Sequence, residues 1–190
     1  MTRAKIVEAF YRSTFQAWKN YKASGKEEIY VGYNPVQIFD ADKIITDFPD
    51  CKIIHVVRNP YSAYAETKHR PAPLSLSRYI QTWNMVQLFA TNFANVYPKN
   101  VIIVKFEDLV ENPKKFFTGL CEKLGIEFSD TMLYPSWNGK KLDNIYPWGT
   151  VQYTTVKYNL EKMKELSKDE HDQIKALTSY FNEHFGYENL

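Results

Sequence analysis

Two short runs limit what this chain can fold into more than anything else in it. Lys52-Ile53-Ile54-His55-Val56-Val57 and Val101-Ile102-Ile103-Val104 are nearly continuous apolar, β-branched stretches, without the polar alternation of a strand that has one wet face. They predict central strands covered on both faces. Each stops abruptly, the first at Arg58-Asn59-Pro60 and the second at Lys105-Phe106-Glu107-Asp108. Between them lie a helical segment from about Tyr61 to His69, a break at Pro71-Ala72-Pro73, and a long stripe of Leu76, Tyr79, Ile80, Trp83, Val86, Ala90, Phe93 and Tyr97. Strands joined through helices imply right-handed crossovers and a parallel sheet flanked by helices, an α/β fold whose ligands gather at the carboxyl ends of its strands. Tyr33, Arg58 and Phe106 fall at such ends.

The rest of the chain reads as follows. Val7, Tyr11, Phe15 and Trp18 recur at helical spacing between Ala4 and Tyr21, with Ser24-Gly25 as a stop. Ile29-Tyr30-Val31-Gly32-Tyr33 predicts a buried strand ending at Asn34-Pro35, and Asp40 or Asp42 is placed to cap a helix through Ile44, Ile45 and Phe48. Asn112-Pro113 opens another helix, whose Phe116, Phe117, Leu120, Cys121 and Leu124 face one way until Gly125. Residues 127 to 160 lack periodicity and predict a long, partly irregular loop of the kind that often carries function. A capping box of Ser167 with Glu170 starts a last helix with Ile174, Leu177, Phe181 and Phe185 on its apolar face, stopped by Gly186.

At 190 residues and 44% hydrophobic content the chain suits one domain, residues 1–190. A net charge of +2 gives no global field that would argue for nucleic acid or a membrane surface, so an anion site must be local. No stretch reaches the ~18 apolar residues of a membrane span, and Met1-Thr2-Arg3-Ala4-Lys5 does not open a secretory leader, so a cytoplasmic protein is expected. Cys51 and Cys121, far apart and beside apolar runs, suit buried reduced thiols better than a disulfide or a metal site, and no metal is expected. The 14 tyrosines could line a cleft or simply fill the core.

Two segments carry a family likeness. The stretch from Asn34-Pro35-Val36-Gln37 to His55-Val56-Val57-Arg58-Asn59-Pro60 resembles the middle of sulfotransferases, and Lys105-Phe106-Glu107-Asp108-Leu109-Val110-Glu111-Asn112-Pro113 is similar to the family's strand-to-helix signature. The likeness runs loosely from about residue 29 to 190. It implies a P-loop NTPase-like sulfotransferase fold, here amino-terminally truncated, and transfer of a sulfuryl group from 3′-phosphoadenosine 5′-phosphosulfate (PAPS) to a hydroxyl or amine of a small-molecule or carbohydrate acceptor, with adenosine 3′,5′-bisphosphate (PAP) as product. The resemblance puts the arginine that binds the donor's 3′-phosphate on Arg58 and an aromatic nucleotide contact on Phe106. A carboxyl-terminal phosphate loop would match Tyr146-Pro147-Trp148-Gly149-Thr150, giving Trp148 and Gly149, with Lys140 and Lys141 nearby. Physical chemistry agrees on Arg58, since a guanidinium at a strand mouth can grip a phosphate by paired hydrogen bonds, helped by amides at the following helix start. A plain pairing of Arg58 with a carboxylate, and Phe106 as core, are the structural alternatives.

The chain also departs from the family pattern. Where the family places a phosphate-binding serine stands Glu66, whose carboxylate would repel a phosphate, so Thr67 must substitute or the donor site is altered. No glycine precedes Gly25, so no amino-terminal phosphate cradle can be traced, and the family's catalytic histidine has only Tyr33 near its position, with Val31 where a lysine is expected. His55 reads as a satisfied core histidine and His69 as a cation near a helix end. The alternative to an enzyme is a degenerate relative that binds an adenosine phosphate or a partner, or a chain completed by a second subunit.

Overall fold

The computed structural model describes residues 2–17, 29–137, 140–141, 145–146, 149–150 and 155–190. The two apolar runs form β1 (Ile53–Val57) and β2 (Val101–Lys105), paired in parallel with Ile53 opposite Val101 and Val57 opposite Lys105. The crossover consists of α3 (Pro60–Thr67) and α4 (Leu76–Val96), preceded in the chain by α1 (Arg3–Ala17) and α2 (Ala41–Asp47). After β2 come α5 (Phe106–Glu111) and α6 (Pro113–Leu124), then the two-residue strands β3 (Ser136–Trp137), β4 (Lys140–Lys141), β5 (Ile145–Tyr146) and β6 (Gly149–Thr150) in two antiparallel pairs. Helices α7 (Val156–Glu161), α8 (Lys168–Leu177) and α9 (Ser179–Phe185) complete a mixed α/β architecture, mostly helical, around a small parallel sheet. Among the described residues no helix is long and apolar enough to cross a membrane.

The core lies on one side of the sheet. The stripe on α4 buries Tyr79, Ile80, Trp83, Val86 and Ala90 as expected, joining Val57, Tyr61, Ile174, Phe181 and Tyr187 at one end and Ile38, Ala41, Ile45 and Val101 at the other. His55 points to this side, and its Nε2 lies 2.9 Å from Gln87 Oε1 on α4. This is the satisfied core histidine that the sequence suggested. The opposite face departs from expectation, because Ile54 and Val56 are 41% and 53% exposed. A β-branched run shows that its residues prefer to be covered, but the cover must come from elsewhere in the chain.

Other expectations need correction. Residues 29–33 form no strand, and Val31 and Tyr33 are 86% and 90% exposed. Asp40 stands at the amino end of α2 but makes no capping bond, because it accepts from Lys43 Nζ at 2.6 Å instead. The presumed loop from 127 to 160 contains α7, whose N-cap Thr155 accepts from the Tyr158 amide at 3.0 Å. The last helix is two, broken at Thr178, and Leu177 is exposed. Its capping box does form: Ser167 N–H donates to Glu170 Oε2 at 2.8 Å, and Glu170 N–H to Ser167 Oγ at 3.2 Å. Gly186 ends α9 with φ of 72°, a left-handed position that other residues rarely adopt. Trp18 and the Ser24-Gly25 stop lie outside the described residues.

Candidate functional site

The carboxyl ends of β1 and β2 meet where the chain turns into α3 and α5, and side chains from four segments converge there. Arg58, the first residue after β1, lays its guanidinium over the Phe106 ring, with Cζ 4.8 Å from the ring centroid. Its Nε donates to Asn159 Oδ1 at 2.8 Å, and its Nη1 donates to Glu66 Oε2 at 2.5 Å. Arg58 is 20% exposed and Glu66 51%, so the pair sits at the rim, half open to water. The carboxylate partner considered for Arg58 is therefore present, and it is the residue that departs from the family pattern. Phe106 is also more than core: half-buried at the start of α5, it is the platform on which Arg58 rests.

Beneath this pair lies a hub that sequence reasoning did not single out. Glu107 Oε1 accepts from the Asn59 amide (3.1 Å), Asn59 Nδ2 (2.9 Å) and Asn159 Nδ2 (3.1 Å), while Glu107 Oε2 accepts from the Tyr187 hydroxyl (2.6 Å). Burial pushes the Glu107 carboxyl up, but the bonds from Tyr187 and Asn59 more than offset it and hold the group below the ordinary carboxylate range. Tyr187 is pushed up, first by burial and then by its bond to Glu107. Asn159 belongs to both layers, taking Arg58 with its oxygen and Glu107 with its nitrogen, and its backbone carbonyl accepts from Ser62 Oγ. Glu107 was visible in the quoted strand-to-helix signature. Asn159 lay in a stretch without periodicity, and Tyr187 followed a helix stop, so neither carried a signal.

The helix start after Arg58 offers a ligand less than expected. The Asn59 amide goes to Glu107, the Ser62 amide goes to Asn59 Oδ1 at 2.8 Å, and Pro60, Tyr61 and Ser62 are buried. Thr67 Oγ1 donates to the Ala63 carbonyl at 2.6 Å, so its hydrogen is already placed within α3. Tyr33 stands in solvent, and Trp148 lies outside the described residues. Gly149 pairs with Tyr146 in the β5–β6 ladder, and Lys141 Nζ lies 5.7 Å from the centre of the Tyr134 ring. His69 Nε2 is 3.1 Å from Glu165 Oε2. The structure thus joins Arg58, Glu66 and Phe106 directly, with Thr67 one residue beyond Glu66 on the same helix.

A parallel sheet whose first strand ends in an arginine stacked on an aromatic ring, with a strand-to-helix carboxylate locking the turn, is an α/β fold that gathers its charged side chains at the carboxyl ends of the strands. The model of the sulfotransferase family matches residues 2–130, which include both strands, Arg58, Glu66, Phe106 and Glu107. The chain belongs to the sulfotransferase family. No curated protein and no solved structure matches it significantly.

Proposed function

We propose that the chain binds PAPS at the carboxyl end of β1 and transfers its sulfuryl group to a hydroxyl or amine of a small-molecule or carbohydrate acceptor. The observation that carries this reading is Arg58, held at a strand mouth on Phe106, inside the span that matches the family. A guanidinium there can meet an anionic oxygen through its remaining N–H groups, and the half-buried Phe106 ring beside it suits contact with a purine. In the reaction the acceptor oxygen or nitrogen bonds to sulfur while the bond from sulfur to the bridging phosphate oxygen breaks. The electron pair leaves on PAP, and the acceptor's proton passes to a base. We place Tyr33 in the base's role by position, with Thr67, Trp148 and Gly149 as further donor contacts. A cytoplasmic location is part of the same reading. Binding without turnover is the second reading, favoured by the 90% exposure of Tyr33, which leaves that residue in solvent.

The test is thermal unfolding of the purified chain with increasing PAP, alongside a transfer assay with PAPS and a panel of alcohols. A saturable rise in midpoint, lost in Arg58→Ala, supports the donor site. Tyr33→Phe should keep the rise and lose transfer. An unshifted midpoint in a cooperatively unfolding chain overturns the reading.

A further inference from the structure

We propose that the Arg58–Glu66 pair makes this site accept adenosine nucleotides whose ribose carries a free hydroxyl, so that a ribose phosphate adds little to affinity. The inference rests on the reading that Arg58 meets the nucleotide, and adds the chemical class of its ribose end.

A bare arginine is a site for an anion, but Arg58 is not bare. Glu66 holds Nη1 and Asn159 holds Nε, while Arg58 Nη2 and Glu66 Oε1 have no partner among the described residues. What faces a ligand is therefore a donor beside an acceptor with a net charge near zero. A hydroxyl matches that surface, accepting from Arg58 and donating to Glu66, the way a carboxylate reads a ribose hydroxyl in dinucleotide sites.

A phosphate only accepts. It can accept from Arg58 Nη2, but it must then lie beside the Glu66 carboxylate, at a half-exposed position where the repulsion is damped but not abolished. Glu66 also lies in the last turn of α3, where the helix dipole is unfavourable to an added negative charge. The flanking cations are engaged elsewhere. Lys68 Nζ donates to Glu170 and to the Glu165 carbonyl, and Lys105 Nζ donates to the Phe185 carbonyl and lies over the Tyr187 ring. Thr67 has given its hydrogen to Ala63.

The experiment is calorimetric titration of the purified chain, Glu66→Ser and Glu66→Gln with adenosine 5′-monophosphate and, separately, PAP. Dissociation constants within about threefold for the wild-type chain, shifting to a preference for PAP of about tenfold or more in both variants, would support the proposal. A wild-type preference for PAP above about tenfold that both variants retain overturns the role of Glu66 and leaves the nucleotide site standing. No binding of either nucleotide by any of the three chains removes the site and the inference together.

Discussion

Glu107 illustrates how much one buried side chain can hold. Its two oxygens take four hydrogen bonds from Asn59, Asn159 and Tyr187. Removing them leaves several buried donors unanswered, and that loss costs more than any one of the bonds contributes. Glu107→Ala is expected to lower stability by about 2–4 kcal/mol, read as a lower urea midpoint with an unchanged slope. A loss under about 0.5 kcal/mol would show that water replaces the carboxylate. The same residue marks the limit of sequence reading at this scale. Arg58 and Phe106 were legible because each stands at a strand end in a recognisable motif. Asn159 and Tyr187 were not, because a single asparagine or tyrosine reveals its partner only once chain segments dozens of residues apart have been brought together.

At the scale of elements, periodicity was an accurate guide along α4, although Leu177 of α8, which it placed on an apolar face, is exposed. The buried apolar residues of α4 follow the predicted stripe, with Gln87 buried beside them, and β1 and β2 fall on the two apolar runs. It misled where composition stood in for surroundings, as in the exposed segment 29–33, or where a helix was too short to show a period, as with α7. The sidedness of β1 can be tested directly. Val57 is fully buried and Val56 is 53% exposed. Val57→Ala should cost about 1–3 kcal/mol in a denaturant titration, and Val56→Ala should stay within about 0.5 kcal/mol. Equal losses would mean that the face bearing Ile54 and Val56 is covered in solution.

For the whole molecule, acid should act in two stages. Burial holds His55 below its usual pKa, although Gln87 opposes the shift, so below about pH 6.5 the unfolded chain takes up a proton that the folded chain resists. Glu107, Glu165 and Glu170 are held below the ordinary carboxylate range, so their stabilisation is present above about pH 4.3 and is lost as pH falls through their folded values. The urea midpoint should therefore decline first below about pH 6.5 and again below about pH 4.3, and His55→Gln should remove only the first decline. A midpoint that held steady from pH 7 to 5 would contradict the role of His55. The hub at Glu107 also bears on time. Its bonds join residues separated by 48, 52 and 80 positions, so loops of that size must close before it can assemble. A buried polar contact of that span is expected to form late in the search for the native state and to contribute little to the speed of arrival. It acts as a latch on the finished molecule, and its removal by Glu107→Ala would be felt chiefly as a faster rate of unfolding.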